Sequence, residues 1–100
     1  MINRLQLAGV VARAPETRLN PAGIPLTRFA LDHHSEQEEA GLRRRVQLRI
    51  TVLATGDELS RRARRLRTGE QVTVTGFLHR TLTRNGQPRL VLHAQQLTTD

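Results

Sequence analysis

Apolar residues recur at every second position through much of the chain, the period of a strand rather than of a helix. In the first segment Leu5, Leu7, Gly9 and Val11 share one parity, and Arg4 and Gln6 take the other. Asn20-Pro21-Ala22-Gly23 then reads as a turn, because proline presets φ and glycine accepts a positive φ. A second strand is expected from Leu26 to Asp32, with Phe29 and Leu31 facing one way and Arg28 and Ala30 the other. Residues 33–43, HHSEQEEAGLR, are polar and contain Gly41, and a long mobile loop is expected there. Alternation resumes in a third strand, where Val46, Leu48, Ile50 and Val52 share the parity that must face a core. Arg45, Gln47 and Arg49 then point outward together, with Thr51 next in line.

The period changes once. Thr55 and Glu58 have the spacing of a capping box, with Asp57 as an alternative cap. Leu59, Ala63 and Leu66 follow at i, i+4 and i+7, a short apolar stripe, and Gly69 would stop the helix. Arg61, Arg62, Arg64 and Arg65 fall on its other faces. A fourth strand is expected from Gln71 to Arg80, with Val72, Val74 and Leu78 in phase. Phe77 has outward parity in it, unless Gly76 makes a bulge that turns the ring inward. Asn85-Gly86 is a strong hairpin turn signal, and a fifth strand carries Leu90, Leu92 and Ala94.

This order predicts an all-β protein: a five-stranded Greek-key OB-fold barrel with one short helix between strands 3 and 4, as a single domain over residues 1–100. OB-folds bind oligonucleotides through loop 1-2, loop 4-5 and the face of strands 2-3. The fold alone does not establish that function.

Charge sharpens the picture. The formal net charge is +7, the sequence pI is about 11.8, and all 16 basic residues are arginine. A pI above about 9 for one domain is the footprint of a nucleic-acid binder, although an acidic protein or an anionic membrane also satisfies it. Guanidinium is planar and can fork onto phosphate or stack on a base. With no cysteine, disulfides, thiol nucleophiles and Cys-based zinc sites are excluded. The start, MINRLQLAG, has no long apolar region, and no apolar run approaches bilayer length, so a cytoplasmic protein without membrane contact is expected. No HExxH, EF-hand or P-loop pattern is present, and His33 and His34 point oppositely in an extended chain. Glu36, Glu38 and Glu39 read as solvated loop rather than as a metal site, and no enzyme activity and no cofactor are expected.

The candidate interface is therefore built from the outward row Arg45, Gln47 and Arg49, with Arg43 and Arg44 at the loop junction. Arg13 and Arg18 flank the first turn, and Arg84 and Arg89 flank the Asn85-Gly86 hairpin. Phe29 and Phe77 are the sole aromatics, and Phe29 belongs in the core. Arginine would have to supply what aromatic stacking, worth about 1–3 kcal/mol per base, usually supplies. That predicts weak binding with strong salt dependence.

Four stretches carry a resemblance along the whole chain: NRLQLAGVVARAP at 3–15, PAGIPLTRFALDHHSEQEEAG at 21–41, GEQVTVTGFL at 69–78 and NGQPRLVLHAQQL at 85–97. They resemble the primosomal replication protein N (PriB) family, and GIP…F.L.H.S.QEEAG is the most specific part. The resemblance implies a homodimeric OB-fold that binds single-stranded DNA and serves replication restart, with the helicase PriA and with DnaT as partners. By position it also implies that Arg13, Arg18, His34, Arg84 and Arg89 lie where the family places basic or polar side chains on DNA. The chain departs from that pattern at Leu42 and Gln47, where the family carries aromatics, and at Leu82, where a basic residue is expected. A protein-interaction adaptor that touches DNA only incidentally, and an RNA-binding OB protein, stand as alternatives.

Overall fold

In the computed structural model, which describes residues 1–99, strand β1 (Leu5–Val11) pairs antiparallel with β5 (Gln71–Leu82) over Leu5 to Val10. β5 pairs with β6 (Pro88–Thr99) across the Asn85-Gly86 turn, and β6 lies parallel to β4 (Leu42–Thr55) from Thr51↔Val91 to Leu53↔His93. β4 pairs antiparallel with β3 (Pro25–Glu39) along its whole length. The ring closes where β1 reaches β3 at Val10↔Asp32 and Val11↔Leu31. β1, β3, β4, β5 and β6 thus form the five-stranded barrel expected of an OB-fold, with helix α1 (Asp57–Arg64) between β4 and β5.

Closure depends on Gly9. A Cβ there would lie 2.3 Å from the backbone oxygen of Asp32, so only a residue without one lets β1 cross so close to β3. Inside the ring pack Val11, Phe29, Leu31, Val52, Ala54, Val72, Val74, Leu92, Ala94 and Leu97. Ala63 and Leu66 from the α1 segment join them, with Leu59 partly buried against them, as the i, i+4, i+7 stripe requires.

Three expectations are corrected. Residues 33–43 are not a loop. β3 continues to Glu39 and β4 starts at Leu42, joined by a tight turn in which Ala40 (φ 52) and Gly41 (φ 77) are both left-handed. Two positive φ values in a two-residue connection match the twist of paired strands. Opposite charges support the pairing, with Glu36 opposite Arg45 and Glu38 opposite Arg43. Val46, Leu48, Ile50 and Val52 keep the inward parity, but their burial falls away along the hairpin, with Ile50 still packed, partly buried, against the core. This hairpin runs past the end of the barrel, and among those four expected core positions only Val52 is fully enclosed, while Leu48 is 41% exposed. The third correction concerns α1, whose N-cap is Gly56 (φ 102), with no side-chain cap from Thr55, Asp57 or Glu58. The acidic first turn still complements the helix dipole.

A further strand, β2 (Glu16–Leu19), pairs with β3 from Glu16↔Arg28 to Leu19↔Pro25 and buries none of its residues. Thr17 ties it inward. Its hydroxyl shares a 2.8 Å hydrogen bond with that of the buried Thr27, which in turn bonds the buried Ser60 of α1. The irregularity expected near Gly76 is present, but the extra residue lies in β6, where Thr75 faces Gln96 and Gly76 faces Ala94. Phe77 therefore keeps its outward parity and stacks on His93, with ring centroids 4.8 Å apart.

Candidate nucleic-acid interface

On the outer surface of β3 and β4, parity and register set side chains in cross-strand rows. Ala30 stands opposite Thr51, Asp32 opposite Arg49, His34 opposite Gln47, and Glu36 opposite Arg45. The grouping of Arg45, Gln47 and Arg49 on one outward face is as expected, and the acidic row beside them comes from β3.

That acidic row alters the electrostatics. Arg49 donates from Nε to Asp32 Oδ1 at 2.6 Å and from Nη2 to Asp32 Oδ2 at 3.0 Å, a two-pronged pair. The hydrogen bond from Arg49 holds the Asp32 carboxyl below the usual carboxylate range, against a smaller opposing desolvation. The charges of Arg49 and His34 add to the effect. Arg44 approaches Glu39 at 3.5 Å and Arg43 approaches Glu36 at 3.5 Å, both well exposed. Such exposed pairs contribute about 0–1 kcal/mol and exchange readily. Between residues 32 and 49, Asp32, Glu36, Glu38 and Glu39 balance Arg43, Arg44, Arg45 and Arg49, so the formal net charge of +7 lies wholly outside this hairpin.

Gln47 Nε2 lies 3.2 Å from His34 Nδ1, within hydrogen-bond distance across the ladder. His33 faces the other way. Its Nδ1 lies 2.6 Å from the Ala8 carbonyl and its Nε2 lies 2.7 Å from Ser35 Oγ, so it fastens β3 to β1 rather than joining the outer face.

One open groove brings together Arg13, Arg28, Arg49, Arg89 and one acid, Glu16, around a largely apolar floor that includes Leu48 and Leu90. Three of the expected site residues thus converge: Arg13, Arg49 and Arg89. Arg18, on β2, and Arg84, in the β5–β6 turn, are exposed beyond this groove, and Arg44 and Arg45 lie further along the hairpin. Arg45, Arg13, Arg18, Arg84 and Arg89 have no carboxylate within 4.0 Å among the described residues, whereas Arg44 and Arg49 do. Sequence reasoning left out Arg28 and Asp32. The signal was available in strand parity, which puts both on the outward side of β3 with Ala30.

His93, on β6, has an Nε2 with no hydrogen-bond partner and almost no exposure. Burial, reinforced by the charge of His79, pushes its titration below the usual histidine range. Among the described residues no group of three or more His, Asp or Glu could hold a metal ion, and no helix is long and apolar enough to cross a membrane.

Comparison with known proteins adds an independent line. A family described as "Another single-strand binding protein family" matches residues 3–96. The replication restart protein PriB of Photorhabdus laumondii is 43% identical over 95 residues, covering 95% of this chain and 90% of that protein. The chain belongs to the PriB family. PriB of Salmonella arizonae is 40% identical over 97 residues, covering 97% of this chain and 93% of its own length. The solved PriB structure from Ralstonia solanacearum superposes with a TM-score of 0.82 at 28% identity, over 100% of both chains. A small single-stranded DNA-binding protein from Streptomyces coelicolor superposes with a TM-score of 0.79 at 27% identity, over 100% of this chain and 95% of that one. PriB relatives thus match both the length and the barrel of this chain.

Proposed function

We propose that this chain binds single-stranded DNA on the outer face of β3, β4 and β6 and serves replication restart as a non-enzymatic accessory protein of the cytoplasm. The observation that carries the reading is the convergence of Arg13, Arg49 and Arg89 on one groove of an OB barrel. Membership of a family of single-strand binding proteins supports it. Arginine forks onto phosphate at Arg13, Arg18, Arg45, Arg84 and Arg89 with no carboxylate to displace among the described residues. At Arg44 the phosphate exchanges with a weak surface partner, and at Arg49 with a two-pronged one. His34 and Gln47 offer polar contacts between these charges.

The same reading assigns a homodimer. No strand pairs with the edge of β1 that faces away from β5, from Leu5 to Gly9 among the described residues, and an unpaired edge is a template for a second copy. The PriA helicase and DnaT are the protein partners that the family resemblance supports. Fluorescence-polarisation titration of single- and double-stranded oligonucleotides at about 50 and about 200 mM salt, beside a measured solution mass, tests the proposal. Equal affinity for both forms, or no binding at the lower salt, would remove it.

A second reading, a protein-interaction adaptor, is favoured by one observation: the β3–β4 hairpin is charge-neutral between residues 32 and 49 and exposes Leu42 and Leu48. Helicase binding that survives the loss of all DNA binding would select it.

A further inference from the structure

The charge missing from the hairpin is concentrated partly on α1. Leu59, Ala63 and Leu66 turn one side of this segment to the core, and Arg61, Arg64 and Arg65, at i, i+3 and i+4, occupy the opposite side. All three are exposed, and none has a carboxylate within 4.0 Å among the described residues. Their neighbour Arg62 has a structural task, since its Nη2 donates to the Leu97 carbonyl at 2.9 Å and fastens α1 to β6. The dipole of α1 favours positive charge in its last turn, which accounts for the sign of these residues but not for three on one face; Asp57 and Glu58 stand four and three residues before Arg61, yet neither comes within 4.0 Å of an arginine among the described residues. On the β3–β4 hairpin the same chain sets an acid beside nearly every arginine.

We infer that the outer face of α1, formed by Arg61, Arg64 and Arg65, is a second polyanion site that takes the phosphate backbone of a single strand running off the barrel face. This inference rests on the single-strand reading above. A backbone is favoured over an acidic peptide because the patch has no apolar anchor. The exposed large apolar residues are Met1, Ile2, Leu19, Ile24, Leu42, Leu48, Leu82 and Leu90, and none belongs to α1. Protein interfaces centre on such anchors, whereas sequence-independent phosphate binding does not need them. The site is also within reach of the first. From Arg49 to the end of β4 at Thr55 the chain advances about 20 Å at about 3.3 Å per residue, and α1 follows directly. A long strand can span both surfaces, and a short one cannot.

The test compares the wild type with the triple variant Arg61→Ala, Arg64→Ala, Arg65→Ala on oligo(dT) of about 4 and about 30 nucleotides, across a salt series. The expected result is a salt slope on the long oligonucleotide that is flatter by about 2, at about 0.7 per lost phosphate contact, and an unchanged slope on the short one. The triple Arg→Lys variant, which keeps the charge, is expected to retain the wild-type slope, and circular dichroism checks the fold of each. An unchanged slope on the long oligonucleotide overturns the inference. So does an equal flattening on the short one, which would make the patch part of the first site. Loss of binding to an acidic peptide with no change on DNA overturns it in favour of a protein partner. Failure of the wild type to bind either oligonucleotide is a separate result, and it sinks the single-strand reading on which the inference stands.

Discussion

Arg49 holds Asp32 across the β3–β4 ladder through both prongs of its guanidinium, at 2.6 and 3.0 Å. The pair sits in the middle of the proposed DNA face, and the hydrogen bond from Arg49 lowers the titration of Asp32. Asp32 therefore acts as a resident competitor for whatever Arg49 would otherwise grip. Asp32→Asn is expected to strengthen single-strand binding at low salt and to steepen the salt slope by about 0.7, one added phosphate contact. Titrations of the two proteins at matched salt check this; equal slopes would mean that Arg49 stays out of the interface.

Arg84 and Arg89 have no acidic partner among the described residues, and they frame the β5–β6 turn. The double change Arg84→Ala, Arg89→Ala is expected to flatten the slope by about 1.4, measured on an oligonucleotide that fills the barrel face. Weaker binding with the wild-type slope would instead point to a shape change in the turn.

Much of this architecture was legible in alternation alone. The parity of β1, of β3 up to Asp32, of β5 and of β6, and the α1 stripe, each reflect a side chain that must enter the core. The β3–β4 hairpin was not legible, because both of its faces meet solvent and no burial marks its strands. His33 to Glu39 become a strand through partners on β4, from Leu48 back to Leu42, whose opposite charges local periodicity does not register. The expected burial of Leu48 failed for the same reason: parity gives a direction, while enclosure depends on how far the barrel extends. The pairing of Arg49 with Asp32 needed the register, which fixes who stands opposite whom.

His93 should titrate below the range of an exposed histidine, as burial disfavours its charged form and His79 adds to the effect. The sign follows from linkage. As pH falls through the usual histidine range the unfolded chain takes up a proton that the native chain refuses, so stability declines until His93 itself titrates. Two-dimensional NMR of the ring protons locates the titration, and His79→Ala is expected to raise it by part of the shift only. A His93 that titrates as in an unfolded peptide would contradict the shielding of its Nε2.

Gly9→Ala is expected to destabilise the fold by about 1–3 kcal/mol, the usual cost of forcing volume into a packed site. The added Cβ would lie 2.3 Å from the Asp32 backbone oxygen, so β1 must move away from β3 where the barrel closes. Urea unfolding measures the loss. A neutral result would mean that the seam between β1 and β3 has slack.

Thr17 is the one side chain of β2 hydrogen-bonded toward the interior among the described residues, through Thr27 and on to Ser60. It fixes an arm that buries nothing and that carries Arg18, with Arg13 just before it. In the proposed interface an incoming strand would meet Arg18 on a segment already paired to β3. The ordering entropy that a free loop would lose on contact is largely absent. Recognition at this edge of the barrel, as proposed, would be a matter of docking onto a braced strand rather than of recruiting a loose tether.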